Sequence, residues 1–152
     1  MKLDVYPTNI NAYSDKGAEI KECFLKEAHA LLKEVGTHLA FIGLVEQKIW
    51  KNRGGIAVSG EVYGEFFKPG KNIGVFVEVG TSCVRGHFSR KEDGVCIRAV
   101  WRCRHRDHAH TPEGRNEWID PNYNDQQIAS CLETIWLDAQ RTVEKSKWVV
   151  GN

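Results

Sequence analysis

Apolar residues recur along this chain with two different periods, and the change of period marks out its elements. From Lys16 to Val35 the apolar residues Ile20, Phe24, Ala28, Leu31, Leu32 and Val35 return at helical spacing, which places them on one face. Ser14 or Asp15 is the expected N-cap and Gly36 the expected left-handed stop. A second helix is predicted over residues 125–145, with Ile128, Cys131, Leu132, Ile135, Ala139 and Val143 as its buried stripe. Asn124 followed by Gln127 has the form of a capping box with Asn as the cap.

Between the helices the period shortens to two. Residues 56–67 put Ile56, Val58, Gly60, Val62, Gly64 and Phe66 on one side and Ser59, Glu61, Tyr63 and Glu65 on the other. Lys68-Pro69-Gly70-Lys71-Asn72 is a turn signal, and Ile73–Val79 follows with its valines inward and Phe76 and Glu78 outward. Residues 95–106 repeat the alternation, with Val95, Ile97, Ala99, Trp101 and Cys103 on one side. Residues 37–51 fit either period. The interrupting glycines favour a strand there, with Asn52-Arg53-Gly54-Gly55 as its hairpin turn. A short edge strand near Leu3–Tyr6 and loops over residues 80–94 and 108–122 complete the reading.

Helix, about four antiparallel strands, helix: this order predicts an α+β fold. It is a two-layer sandwich with the N- and C-terminal helices packed on one face of the sheet. With 152 residues and no linker, repeat or low-complexity tract, one domain over 1–152 is expected. The 41% hydrophobic and 27% charged fractions are those of an ordinary globular chain.

Charge changes the picture at one place. Residues 84–115 hold eight Lys and Arg against four Asp and Glu in a chain of net charge +1, so the remainder stands at −3. Arg98, Arg102, Arg104 and Arg106 all fall on the side of the strand over residues 95–106 that faces away from the core. Guanidinium groups carry forked, planar donors that suit carboxylates and phosphates. With Tyr63 and Phe76 on the same side of the sheet, His87 in the loop before this strand and His105 near its end, these residues form the candidate ligand-binding set.

Three uses of that face follow. A binding protein, working as a homo-oligomer, engages an anionic small molecule or protein partner through it; this is the leading expectation. Arg interleaved with aromatics also suits single-stranded nucleic acid, although Glu61, Glu65 and Glu78 on the same face repel phosphate and are natural partners for Arg98, Arg102 and Arg104. A hydrolase or transferase acting on a phosphorylated small molecule is the catalytic alternative, with His87, His105 or His108 moving protons.

Cys103-x-His105-x-x-His108-x-His110, with Cys83 and His87 upstream, offers zinc donors. It lacks a CxxC pair and fails the HExxH spacing, so no metal or cofactor is expected. His87-Phe88-Ser89 has the HxS form of two-histidine phosphodiesterases, but no other histidine is followed two residues later by Ser or Thr. Five cysteines without regular spacing and no apolar leader after Met1 point to a reducing, cytoplasmic setting. No apolar run is long enough to span a bilayer.

Overall fold

The computed structural model describes residues 14–52, 61–80, 96–103, 117–120 and 122–144. It contains helix α1 (Asp15–Phe41), strands β1 (Val45–Asn52), β2 (Glu61–Phe67), β3 (Ile73–Gly80), β4 (Cys96–Cys103) and β5 (Glu117–Ile119), and helix α2 (Asp125–Glu144). The strands form one antiparallel sheet in the order β1-β2-β3-β4-β5. Helix α1 lies over β1–β3 and α2 over β3–β5, so the expected α+β sandwich is present. The expected elements at 1–13, 53–60, 81–95, 104–116 and 145–152 lie outside the described residues.

The sheet has five described strands rather than about four, because Glu117–Ile119 pairs with β4 where a loop is expected. Three residues are too few to show a period.

A larger difference concerns α1, which runs straight through Gly36 and ends at Phe41. The strand expected over 37–51 is therefore helix in its first part, and β1 begins only at Val45. Gly36 serves packing instead of termination. A Cβ there would come within 2.7 Å of Phe66 Cε1, and one at Gly64 within 2.8 Å of Phe66 Cε2. The Phe66 ring thus fills a notch between two glycines. A glycine in a helix costs about 0.5–1 kcal/mol against alanine. Burying a phenylalanine contributes about 1.5–3 kcal/mol, so packing wins.

The stop itself is Gly43, with φ 85°. Its N–H donates to Ala40 O, and the Leu44 N–H donates to Leu39 O, both at 3.1 Å. That pair of bonds is a Schellman motif, and its two apolar members, Leu39 and Leu44, are both fully buried.

The remaining ends follow their sequence signals. Gly17 N–H donates to Ser14 Oγ at 3.0 Å. At α2, Gln127 N–H donates to Asn124 Oδ1 at 2.8 Å and Asn124 N–H to Gln127 Oε1 at 2.9 Å, the reciprocal capping box. Between β2 and β3 the turn closes with Lys71 N–H on Lys68 O, and Gly70 takes φ 74° after Pro69.

One core lies between the helices and the sheet. Phe24, Leu31, Leu32 and Val35 of α1 and Ile128, Leu132, Ile135 and Ala139 of α2 meet Val62, Phe66, Val75, Val77, Ile97, Ala99 and Trp101. Cys103 belongs to this core, where burial raises its thiol pKa. It therefore behaves as a small hydrophobe. Trp101 reaches the edge of the core and donates its indole N–H to Asp138 Oδ2 at 2.7 Å.

Candidate functional site on the sheet face opposite the two helices

Alternation along the strands sends a second set of residues to the face opposite α1 and α2. The register places Lys48 and Trp50 of β1, Tyr63 and Glu65 of β2, Phe76 and Glu78 of β3, and Arg98, Val100 and Arg102 of β4 there. Tyr63, Phe76 and Val100 form a small apolar cluster of their own, with Trp50 packed against it.

Its rings make a diagonal ladder. Trp50 lies directly across from Tyr63, with centroids 5.3 Å apart and planes 26° from parallel. Tyr63 stacks on Phe76 at 5.7 Å and 23°, one diagonal step further along the sheet. Diagonal neighbours on an antiparallel sheet are within reach of aromatic side chains.

Cations close both ends of the ladder. Lys48 Nζ sits 4.9 Å from the Trp50 ring centroid. At the other end the Arg102 guanidinium carbon lies 3.7 Å from the Phe76 centroid, and that of Arg98 lies 5.4 Å away. Arg102 faces Gly74 across the ladder, so no side chain blocks its lean along the strand toward Phe76. Attraction of this kind contributes about 0.5–2 kcal/mol, more as the pair is desolvated.

Arg98 has a second role. Its Nη2 is 3.4 Å from Oε2 of Glu78, the residue directly across from it, and the Glu78 side chain is only 8% exposed. Nearly buried carboxylates of this sort need a partner, because an unpaired buried charge costs several kcal/mol. The expected Glu–Arg pairing across strands is thus present between Glu78 and Arg98.

Of the eight sequence-predicted site residues, Arg98, Arg102, Tyr63 and Phe76 are brought together here. Arg104, Arg106, His87 and His105 lie outside the described residues, as do Cys83, His108 and His110. The aromatic pair differs from expectation in one respect. Tyr63 and Phe76 are buried, 6% and 4% exposed, and are not an open stacking platform. Ring-on-ring and guanidinium-on-ring packing uses their faces. The more accessible members are Trp50, half-buried, and Lys48, exposed.

Sequence reading missed Trp50 and Lys48 because their segment fits two periods. Their place on this face also depends on a bulge between Glu46 and Lys48. A bulge shifts every side chain beyond it to the other face.

Among the described residues, Lys48, Arg98 and Arg102 share this face with Glu61, Glu65 and Glu78. The described part of the face is therefore balanced in charge. Also among the described residues, no group of three or more His, Cys, Asp or Glu is placed to hold a metal ion, and no helix is long and apolar enough to cross a membrane. No family model matches the chain, and neither a curated protein nor a solved structure gives a significant match.

Proposed function

We propose that this chain is a binding protein of a reducing, cytoplasmic setting, and that the sheet face opposite α1 and α2 engages a partner presenting carboxylates. The observation that carries this reading is Arg102 stacked 3.7 Å from the Phe76 centroid at the end of the ring ladder. Stacking occupies the flat side of a guanidinium and directs its N–H donors outward in the ring plane. A cation held this way loses little side-chain freedom when it grips an anion. Lys48 on Trp50 repeats the arrangement at the far end of the same ladder.

An acidic protein segment suits this face better than nucleic acid does. Glu61, Glu65 and Glu78 alternate with the cations, and a closely spaced row of phosphates would meet all three. A protein surface with sparser carboxylates meets the guanidinium ends selectively. Catalysis by His87 or His105 gains no support from the described residues.

Self-association rests on a different observation. Phe41 is 83% exposed and Val45 44% exposed, on either side of the turn that leads into β1, the edge of the sheet among the described residues. Exposed apolar neighbours beside a sheet edge favour a homo-oligomer.

The test is fluorescence anisotropy of a labelled peptide whose glutamates are separated by neutral residues, against wild type, Arg102→Gln and Lys26→Gln. Loss of one charge-assisted contact weakens binding by about tenfold in Arg102→Gln, while Lys26→Gln, on the exposed side of α1, leaves it unchanged. Equal affinity in all three proteins, or tighter binding of an oligothymidylate probe than of the peptide, overturns the reading.

A further inference from the structure

On the opposite side of the sheet, a groove of about 570 Å³ opens between α2 and the β4–β5 pair. Its size falls in the ordinary range of small-ligand sites, about 300–1,000 Å³. The sheet wall carries Trp101 and Glu117, and the helix wall carries Ile135, Leu137, Asp138 and Arg141.

Each lining group has a distinct chemistry. Trp101 is buried, and its indole is locked in orientation by the 2.7 Å bond to Asp138 Oδ2. A carboxylate has about four acceptor sites, so Asp138, exposed on its helix, can take further donors. Glu117 supplies a second carboxylate from the facing wall. Arg141 stands three residues beyond Asp138, one turn along the same side of α2. Leu137 is 40% exposed, a large apolar side chain left at the rim.

We infer that this groove is a second binding site, for a zwitterion of the amino-acid or dipeptide class with a bulky apolar side chain. The carboxylates of Glu117 and Asp138, one from each wall, receive the ligand ammonium. Arg141 receives its carboxylate. Trp101, Ile135 and Leu137 cover the apolar side chain. A simple anion meets two repelling carboxylates here, and a simple cation meets a repelling guanidinium. A molecule carrying both charges around an apolar body meets complementary charge on each wall. The inference does not rest on the sheet-face reading, since the two sites share no residue.

The test follows the Trp101 indole N–H resonance, assigned by its disappearance in Trp101→Phe, during titration with L-leucine and with L-leucyl-L-leucine. A saturable shift with either probe is expected, and the tighter of the two tells the free amino acid from the dipeptide. N-acetylation and C-terminal amidation of that probe each weaken it by about tenfold or more, one charge-assisted contact apiece. Arg141→Gln weakens the free probe as amidation does. Asp138→Asn, which keeps an acceptor for the indole, weakens it as acetylation does. Lys26→Gln, on the exposed side of α1, leaves it unchanged. No saturable shift up to the solubility limit of both probes, or acetylated and amidated forms that bind as tightly as the free probe, overturns the inference.

Discussion

Arg102 and Phe76 sit on adjacent strands two residues out of direct register, with guanidinium carbon and ring centroid 3.7 Å apart. Distance and partial burial place this pair toward the stronger end of cation–π attraction. Urea unfolding of wild type, Arg102→Met, Phe76→Leu and the double variant should give a coupling of about 1–2 kcal/mol. Arg102→Lys should keep only part of it, because an ammonium lacks the flat face that lies on the ring. A coupling near zero would mean that the side chains are neighbours without attraction.

Gly36 sets two rules against each other. Helix propensity says that Gly36→Ala gains up to about 1 kcal/mol. The Phe66 ring, 2.7 Å from where the new Cβ would stand, says otherwise. Retreat is closed off by Gly64, whose own notch holds the opposite ring edge. Overpacking of this kind costs about 1–3 kcal/mol, so a net loss is expected in chemical denaturation. Gly36→Ala combined with Phe66→Leu should lose less than the separate changes added together.

How far the sequence discloses such relationships depends on their range. The stripe Phe24, Ala28, Leu31, Leu32 and Val35, the alternation in β3, and the Asn124–Gln127 box are local, and the structure has them as read. The true end of α1 was also written locally, in Gly43 followed by Leu44. It competed with Gly36, whose purpose is visible only once Phe66 arrives from β2. The candidate site shows the same division. Alternation alone assigns Arg98, Arg102, Tyr63 and Phe76 to one face. Their burial in a ladder, and the membership of Trp50 and Lys48, require the β1–β2 register and its bulge.

Trp101 and Asp138 give a prediction about satisfaction of a buried donor. Asp138→Ala removes the acceptor of an indole N–H that sits within the core edge. An orphaned buried donor costs about 1–3 kcal/mol. Asp138→Asn, which retains an oxygen, should cost clearly less. Thermal unfolding of the two variants beside wild type checks the order.

Tyr123 joins the start of α2 to α1 by donating its hydroxyl to Glu34 Oε1 at 2.7 Å. Burial first, and then this bond and the Glu34 charge, raise its pKa well above the ordinary 10.0. Above pH 10.0 the unfolded chain has released this proton while the folded chain holds it. The unfolded state then binds fewer protons, so this contribution to stability falls as pH rises. Below that pH the contribution is fully present. Comparing wild type with Tyr123→Phe by urea unfolding at neutral and strongly alkaline pH should show the wild-type advantage shrinking on the alkaline side. A constant difference would contradict the shifted titration.

Amide and indole chemical-shift mapping with the unlabelled spaced-glutamate peptide shows whether a carboxylate-bearing partner binds the ladder face. Saturable shifts are expected at Lys48, Trp50, Arg98 and Arg102, with α1 residues such as Lys26 and Ala30 unmoved. Shifts spread evenly over exposed lysines of both helices, or none at the four named residues, would contradict it.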